Sequence, residues 1–304
     1  MQIDKNNINL STKDTAVIEA SKPVNKYQRF IRVFFKRKIV FSGIFVILLF
    51  IFAAIFAPQI SPYNPYKQDL KSSLQKPNSR HWLGTDEIGR DVLSRLIFGT
   101  RTSLMVGMVS VGVAAFIGVI LGLVSGYFGG WLDMVIMRII DAMMAIPGLV
   151  LAMVFAAIMG GGLKNIMIAI GVSMVPSYCR LMHGQVLDVK NTDFILAANT
   201  LGSSNIRIML HHILPNCLPP LIVLITVNLG MAILAESGLS FVGIGIAPPG
   251  AAWGSMVNEG YGYLLMNPVL SFAPGLSIML VVLAFNLVGD GLRDALDPRL
   301  RGTI

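Results

Sequence analysis

The sequence predicts an all-α integral membrane protein with six transmembrane helices. Two observations carry that prediction. The chain of 304 residues is 54% hydrophobic and only 13% charged, whereas soluble domains carry about 25% charged residues. Its charges also cluster, leaving long uncharged runs such as Arg101 to Asp133, Arg207 to Glu236 and Glu259 to Asp290. A spanning helix needs about 20 mostly apolar residues, and such runs supply it.

Residues 1–38 read as a cytoplasmic tail. Residues 1–28 are polar and aperiodic, which predicts disorder. The first apolar run starts too far into the chain for a secretory signal. Arg29, Arg32, Lys36, Arg37 and Lys38 stand directly before it, so the positive-inside rule places the N-terminus in the cytoplasm. Six spans return the C-terminal tail, 291–304, to the same side.

The first span covers 39–57 and ends at Pro58. Residues 58–101 form an extracellular loop that opens with the irregular PQISPYNPYKQ. Asp86, Glu87, Arg90 and Asp91 have the spacing of a short helix, with Asp86–Arg90 and Glu87–Asp91 one turn apart. That helix would either touch an external partner or pair its own charges in solvent. A core over 102–290 then holds five spans, at 102–126, 134–160, 164–182, 217–237 and 271–290.

Within this core, Gly118, Gly122 and Gly126 recur every four residues, a spacing that lets helix backbones approach closely. Pro147 predicts a kink in the third span. Arg138 and Asp141 are placed to pair, with Asp133 a turn away. Cys179 and Cys217 have no metal or redox spacing and read as small apolar fillers. The 17 methionines read as scattered core packing. The net charge of +8 suits an anionic membrane surface. The basic residues flank apolar spans and form no separate domain, which argues against nucleic-acid binding.

The most informative stretch is 193–215, DFILAANTLGSSNIRIMLHHILP, in a connector running over 183–213. Asn191 or Thr192 can cap a helix that starts near Asp193, and Gly202 can end it in a left-handed conformation. Ser203 or Ser204 can cap a second helix that runs to Pro215. Ala198 and Gly202, four apart, would leave a shallow notch on one face of this elbow. His183, His211 and His212 flank it and read as interfacial polar residues rather than a metal site.

LAANTLG at 196–202 with HILP at 212–215 resembles the coupling loop of inner-membrane subunits of binding-protein-dependent ABC importers. Ala197, Ala198, Gly202, Leu214 and Pro215 match that family's pattern. Leu196 stands where the family has glutamate, and His212 where it has isoleucine, with Ile213 beside it. HWLGTDEIGRDVLSRLIFGTRTSL at 81–104, ESGLSFVGIGIAPPGAAWGSM at 236–256 and GDGLRDALDPRLR at 289–301 are similar to the dipeptide, oligopeptide and nickel permease branch, in its second (C-type) subunits.

The resemblance implies a type I ABC importer transmembrane domain in the cell membrane. Its partners would be a second homologous permease subunit, two ABC ATPase subunits and an extracellular solute-binding protein. It implies transport of di- or oligopeptides, with nickel or a metal chelate as the alternative cargo. ATP and magnesium would be held by the ATPase partners. The chain itself has no G-x-x-x-x-G-K-[ST] phosphate loop and no catalytic or metal-ligand cluster. An autonomous channel or ion-driven carrier would call for more intramembrane charge. Glu236, near the outer end of the fifth span, is either a pathway residue or a hydrogen-bonding anchor for the turn that follows.

Overall fold

The computed structural model describes residues 33–35, 37–245 and 249–296. The expected disorder of residues 1–28, the cations Arg29, Arg32 and Lys36, and most of the C-terminal tail lie outside these residues.

Nine helices organise the described chain: α1 (Lys38–Ile55), α2 (Val92–Phe128), α3 (Gly130–Met144), α4 (Gly148–Ile158), α5 (Leu163–Lys190), α6 (Asp193–Thr200), α7 (Asn205–Phe241), α8 (Trp253–Tyr261) and α9 (Val269–Leu296). Of these, α1, α2, α5, α7 and α9 are each long and apolar enough to cross a membrane, and α3 with α4 makes a sixth candidate when the bent pair is taken together. That pair is broken rather than kinked. Its halves meet at 95°, with Pro147 in an extended conformation ahead of α4 (φ −54, ψ 130). Proline disfavours helical geometry in the residue before it, so one residue ends α3 and sets the start of α4.

The helix pair α2 and α5 forms the centre, and glycine decides how close they come. A Cβ on Gly118 would lie 2.5 Å from Tyr178 Cβ, and one on Gly122 would lie 2.4 Å from the Cys179 carbonyl oxygen. A Cβ on Gly126 would meet Val186 Cβ at 2.8 Å. The four-residue glycine spacing is therefore a packing groove for α5. The Ser110 hydroxyl donates to the Met167 carbonyl across the same seam (2.9 Å). α7 packs on α9, with Gly230 against Val282 and Gly289 against Val227. α1 lies at the edge, touching α9 through Gly43 and the Val40–Gly291 contact.

Several boundaries differ from the sequence expectation. The loop after α1 ends at Asp91 rather than residue 101, because the Asp91 carboxylate caps α2 by accepting from the Ser94 amide (2.8 Å). Charges at Arg95 and Arg101 hide that start from a search for uncharged runs. α5 runs on to Lys190, so the connector expected over 183–213 begins later, and its second arm is continuous with α7.

Both cysteines are fully buried and free, as expected of apolar fillers. A charged thiol reagent is expected to label neither Cys179 nor Cys217 in the folded protein and both after denaturation in detergent. Mass spectrometry of the labelled chain checks this.

Candidate functional site

The elbow forms at the end of the molecule where α2 finishes and α5 emerges. Thr192 occupies the cap position of α6, yet its hydroxyl donates back to the Val189 carbonyl (2.6 Å) instead of capping forward. Gly202 ends the helix at φ +76. Its amide donates to the Asn199 carbonyl and the Ser203 amide to the Ala198 carbonyl, a glycine C-terminal closure. Ser204 then precedes α7 without a side-chain cap. The segment Ile208–Ile213 has the wide turn of a π-helix and ends two residues before Pro215, which has no amide to donate. Two bonds tie the elbow to α2: Tyr127 Oη donates to Asn205 Oδ1 (2.9 Å) and Lys190 Nζ to the Gly126 carbonyl (2.8 Å).

The expected notch between Ala198 and Gly202 is not present. Ala198 is buried with Ile195, Ile208, Met209 and Ile213, because the elbow must anchor its own apolar side to the bundle. Gly202 is open, with nothing near its Cα substituent position. The outward surface is instead a set of apolar side chains: Phe194, Leu196, Leu201, Ile206 and Leu210 are all exposed, Leu201 by 86%. Ala197 and Pro215 are exposed, Leu214 is half-buried and Ile213 is buried.

The charge cluster beside the elbow also differs from expectation. Asp141 pairs with Arg180 of α5 rather than with Arg138, and Asp133 contacts His183 Nε2 at 2.9 Å. Eight residues of α3 thus match three of α5, so α3 crosses α5 steeply and its acids reach across instead of along their own helix. His183 is committed to this crossing, while His211 is exposed.

At the opposite end, the expected short helix at Asp86–Asp91 is a turn built on left-handed Gly84 and Gly89 (φ +78 and +79). Asp86 and Arg90 do pair, at 2.5 Å. Glu87 and Asp91 turn to different partners: Asp91 contacts His81 Nδ1 (2.8 Å) and Glu87 accepts from Tyr263 Oη (3.1 Å). Asp86, Arg90 and Asp91 are buried rather than solvated, while Glu87 stays exposed. Arg95 donates to Asp86 (2.7 Å) and to Glu259 of α8, and Arg90 donates to Glu259 as well (3.0 Å). Two guanidiniums and two carboxylates thereby join the outer turn, α2 and α8. Burial pushes the Glu259 carboxyl up to about 7, with Arg90 opposing and Asp86 and Glu87 adding to the rise. The Trp253 indole nitrogen donates to the Leu96 carbonyl (3.0 Å) beneath this network. Arg95 and Glu259 escaped the sequence reading. Glu259 is a lone charge in an apolar neighbourhood, which is the signal that could have found it; Arg95 stands among Arg90, Asp91 and Arg101 and carries no such signal.

Glu236 is fully buried in α7. Its Oε1 accepts from Ser240 Oγ at 2.7 Å. Ser240 in turn lies under the backbone of the following turn, where a Cβ on Gly245 would come within 2.3 Å of Ser240 Oγ. This is the geometry of the anchor reading.

An all-helical bundle with up to six candidate spans, an exposed elbow at one end and an ion-paired cap at the other is the architecture of an integral membrane protein. The family model for binding-protein-dependent transport system inner membrane components matches residues 118–302, and that for the N-terminal transmembrane domain of oligopeptide transport permease C matches residues 26–77. A dipeptide transport system permease of Alkalihalophilus pseudofirmus is 44% identical, with 88% of each chain covered. A glutathione transport system permease of Pectobacterium atrosepticum is 42% identical, with 90% of each covered. A probable D,D-dipeptide transport system permease of Escherichia coli is 44% identical, covering 84% of this chain and 86% of that one. In structure, the bundle is similar to the inward-facing MetNI methionine ABC transporter, with TM-score 0.55 and 22% identity over 67% of this chain and 96% of that chain. The chain belongs to the family of binding-protein-dependent transport system inner membrane components, and is a multi-pass permease of the inner membrane.

Proposed function

We propose that this permease carries di- or oligopeptides and works as the C-type subunit of an ATP-driven importer. It pairs with a second, homologous permease and docks two ATPase subunits through the elbow. An extracellular solute-binding protein delivers cargo to the opposite face. The elbow end and both termini lie in the cytoplasm, where the ATPase partners hold ATP and magnesium. This chain is non-catalytic. The single observation that carries the coupling role is the exposed apolar surface of Phe194, Leu196, Leu201, Ile206 and Leu210 on a rigidly anchored elbow. Leu196 supplies apolar contact at the position where the family has a carboxylate. Peptide cargo is supported by the named cargo of the relatives, which are dipeptide and glutathione permeases.

The test is uptake by proteoliposomes holding this chain with its copurified partners. Labelled di- to oligopeptides, glutathione and nickel are offered separately. ATP-dependent peptide uptake is expected. Uptake of nickel without peptide would keep the machinery and move the cargo to the metal branch. Transport by this chain alone without ATP would end the importer reading.

Gly202→Trp addresses the elbow. The substitution places a bulky side chain on a left-handed residue at the open rim of the docking surface. Uptake is expected to fall roughly 5- to 150-fold, the range of a lost coupling energy, with membrane insertion unchanged. Wild-type uptake by this variant would remove the elbow from the coupling role.

A further inference from the structure

The chain that follows α1 forms a hollow that neither the elbow nor the ion-paired cap uses. Phe52 and Phe56 pack together where α1 ends (ring centroids 4.7 Å), and both are exposed. Two residues on, Pro58 begins the wall of a cavity of about 420 Å³, lined also by Pro62, Tyr63, Asn64, Tyr66 and Phe98. That volume lies within the roughly 300–1,000 Å³ of small-ligand sites. The wall is stiff, because each proline fixes its own φ. The Tyr66 ring rests against Phe98 of α2 (6.2 Å), and the Tyr63 ring against His81 (4.8 Å). The cavity therefore starts where the apolar length of α1 runs out, and its two exposed tyrosines suit the headgroup level of a bilayer.

The charge around this cavity is one-sided. Residues 58–80 carry Lys67, Lys71, Lys76 and Arg80 against Asp69 alone. None of these four cations is ion-paired among the described residues. Asp69 instead accepts from the Lys71 amide and the Ser72 hydroxyl, and Asp91, beyond the Tyr63–His81 contact, is held by His81. Two of the cations are fastened to the rim. The Lys67 amide donates to the Asn64 carbonyl (3.2 Å), and the Arg80 carbonyl accepts from Tyr63 Oη (2.9 Å). Both side chains are exposed. Asn64 Oδ1 accepts from the Tyr66 amide (2.9 Å), which leaves the Asn64 side-chain NH₂ as a donor at the same rim.

We propose that this cavity binds one anionic phospholipid from the adjoining leaflet, with its glycerol between the tyrosines and Phe98 and its phosphate at Lys67 and Arg80. An aromatic hollow at the end of a span, rimmed by unpaired cations, is complementary to a molecule with an apolar body and an anionic head. Phosphate oxygens accept charge-assisted hydrogen bonds from both cations, and the Asn64 NH₂ adds a third donor. The acyl chains continue along α1, whose Phe45, Leu48, Phe52 and Ile55 are exposed. That apolar approach favours a lipid over a water-soluble anion. A lipid seated here ties the loop after α1 to Phe98 of α2, and so stabilises the folded arrangement by mass action. The site does not depend on what the complex transports.

The experiment uses the full chain with its copurified partners in micelles of detergent and phosphatidylcholine. Thermal unfolding midpoints are followed while phosphatidylglycerol replaces phosphatidylcholine at constant ionic strength. A saturable rise in the midpoint is expected. The double variant Lys67→Gln/Arg80→Gln is expected to need roughly 30-fold more phosphatidylglycerol for the same rise, the loss of two cations at an anionic lipid surface. Tyr66→Ala, which removes one wall, is expected to shift the titration in the same direction. Lys164→Gln changes an exposed cation at the start of α5 and is expected to keep the wild-type titration. Absence of a saturable rise in wild type overturns the site, whatever the variants do. A wild-type titration in the double variant or in Tyr66→Ala also overturns it, and so does an equal loss in Lys164→Gln, which would show diffuse surface attraction only. The same rise from soluble glycerol 3-phosphate, or from a dipeptide, would replace the lipid by a free anion or by cargo.

Discussion

Arg95→Leu is expected to prevent recovery of the folded complex. Its guanidinium is 1% exposed and bridges Asp86 to Glu259. Removing it leaves the buried Asp86 and the half-buried Glu259 to share Arg90 alone. Breaking a buried ion network from one side costs about 3–5 kcal/mol, a large part of the roughly 5–15 kcal/mol that holds a protein folded. Lysine at the same position is expected to rescue poorly, because one ammonium cannot reproduce a fork that reaches two carboxylates. Glu259→Gln should be milder. Burial already favours the uncharged form of that carboxyl, its side chain is 21% exposed, and the amide can still accept from Arg90. The unfolding midpoints of the three variants in detergent check this order. A midpoint for Arg95→Leu within a degree or two of wild type would show that the network is not what pins α8 to α2.

Gly122→Val is expected to be nearly as damaging, for a steric reason. The first side-chain atom would sit 2.4 Å from the Cys179 carbonyl oxygen and 2.8 Å from Met182 Cβ. Neither neighbour is the movable end of a flexible chain, so α2 and α5 must separate. Overpacking typically costs about 1–3 kcal/mol, and a clash with backbone belongs at or above the top of that range. Gly112→Ala on the same helix is the control. A Cβ there meets nothing, so that variant is expected to match wild type or to gain about 0.5–1 kcal/mol from helix propensity. Equal losses in the two variants would mean that glycine on α2 serves flexibility rather than close packing.

The contrast between these variants also marks what could be read in advance. Four-residue glycine spacing in an apolar helix announces a tight helix contact whatever its partner. The apolar spans and the left-handed Gly202 closing α6 are legible for the same reason, since each follows from a local rule of chain length or backbone freedom; at Pro147 the local rule announced a kink, and the structure has a full break. The charged residues were harder. Asp141 and Arg138 satisfy the spacing of a helical pair, yet Asp141 turns to Arg180 because α3 crosses α5 steeply. Asp86 and Arg90 were correctly paired and wrongly placed in solvent, because nothing near residue 90 reveals that Glu259 lies against them. The elbow's open face was expected at Ala198, which is one of the side chains that holds the elbow to the bundle.

By itself, the sequence determined that this protein is a membrane-embedded helical bundle with an elbow between its spans, because hydrophobic length and backbone chemistry act locally. Only the tertiary structure decided which carboxylate meets which guanidinium, which side of the elbow faces outward and that Ser240 meets just one oxygen of the buried Glu236. Those outcomes depend on helix crossings between residues far apart in the chain, and a buried charge is stabilised by whatever the crossing brings to it.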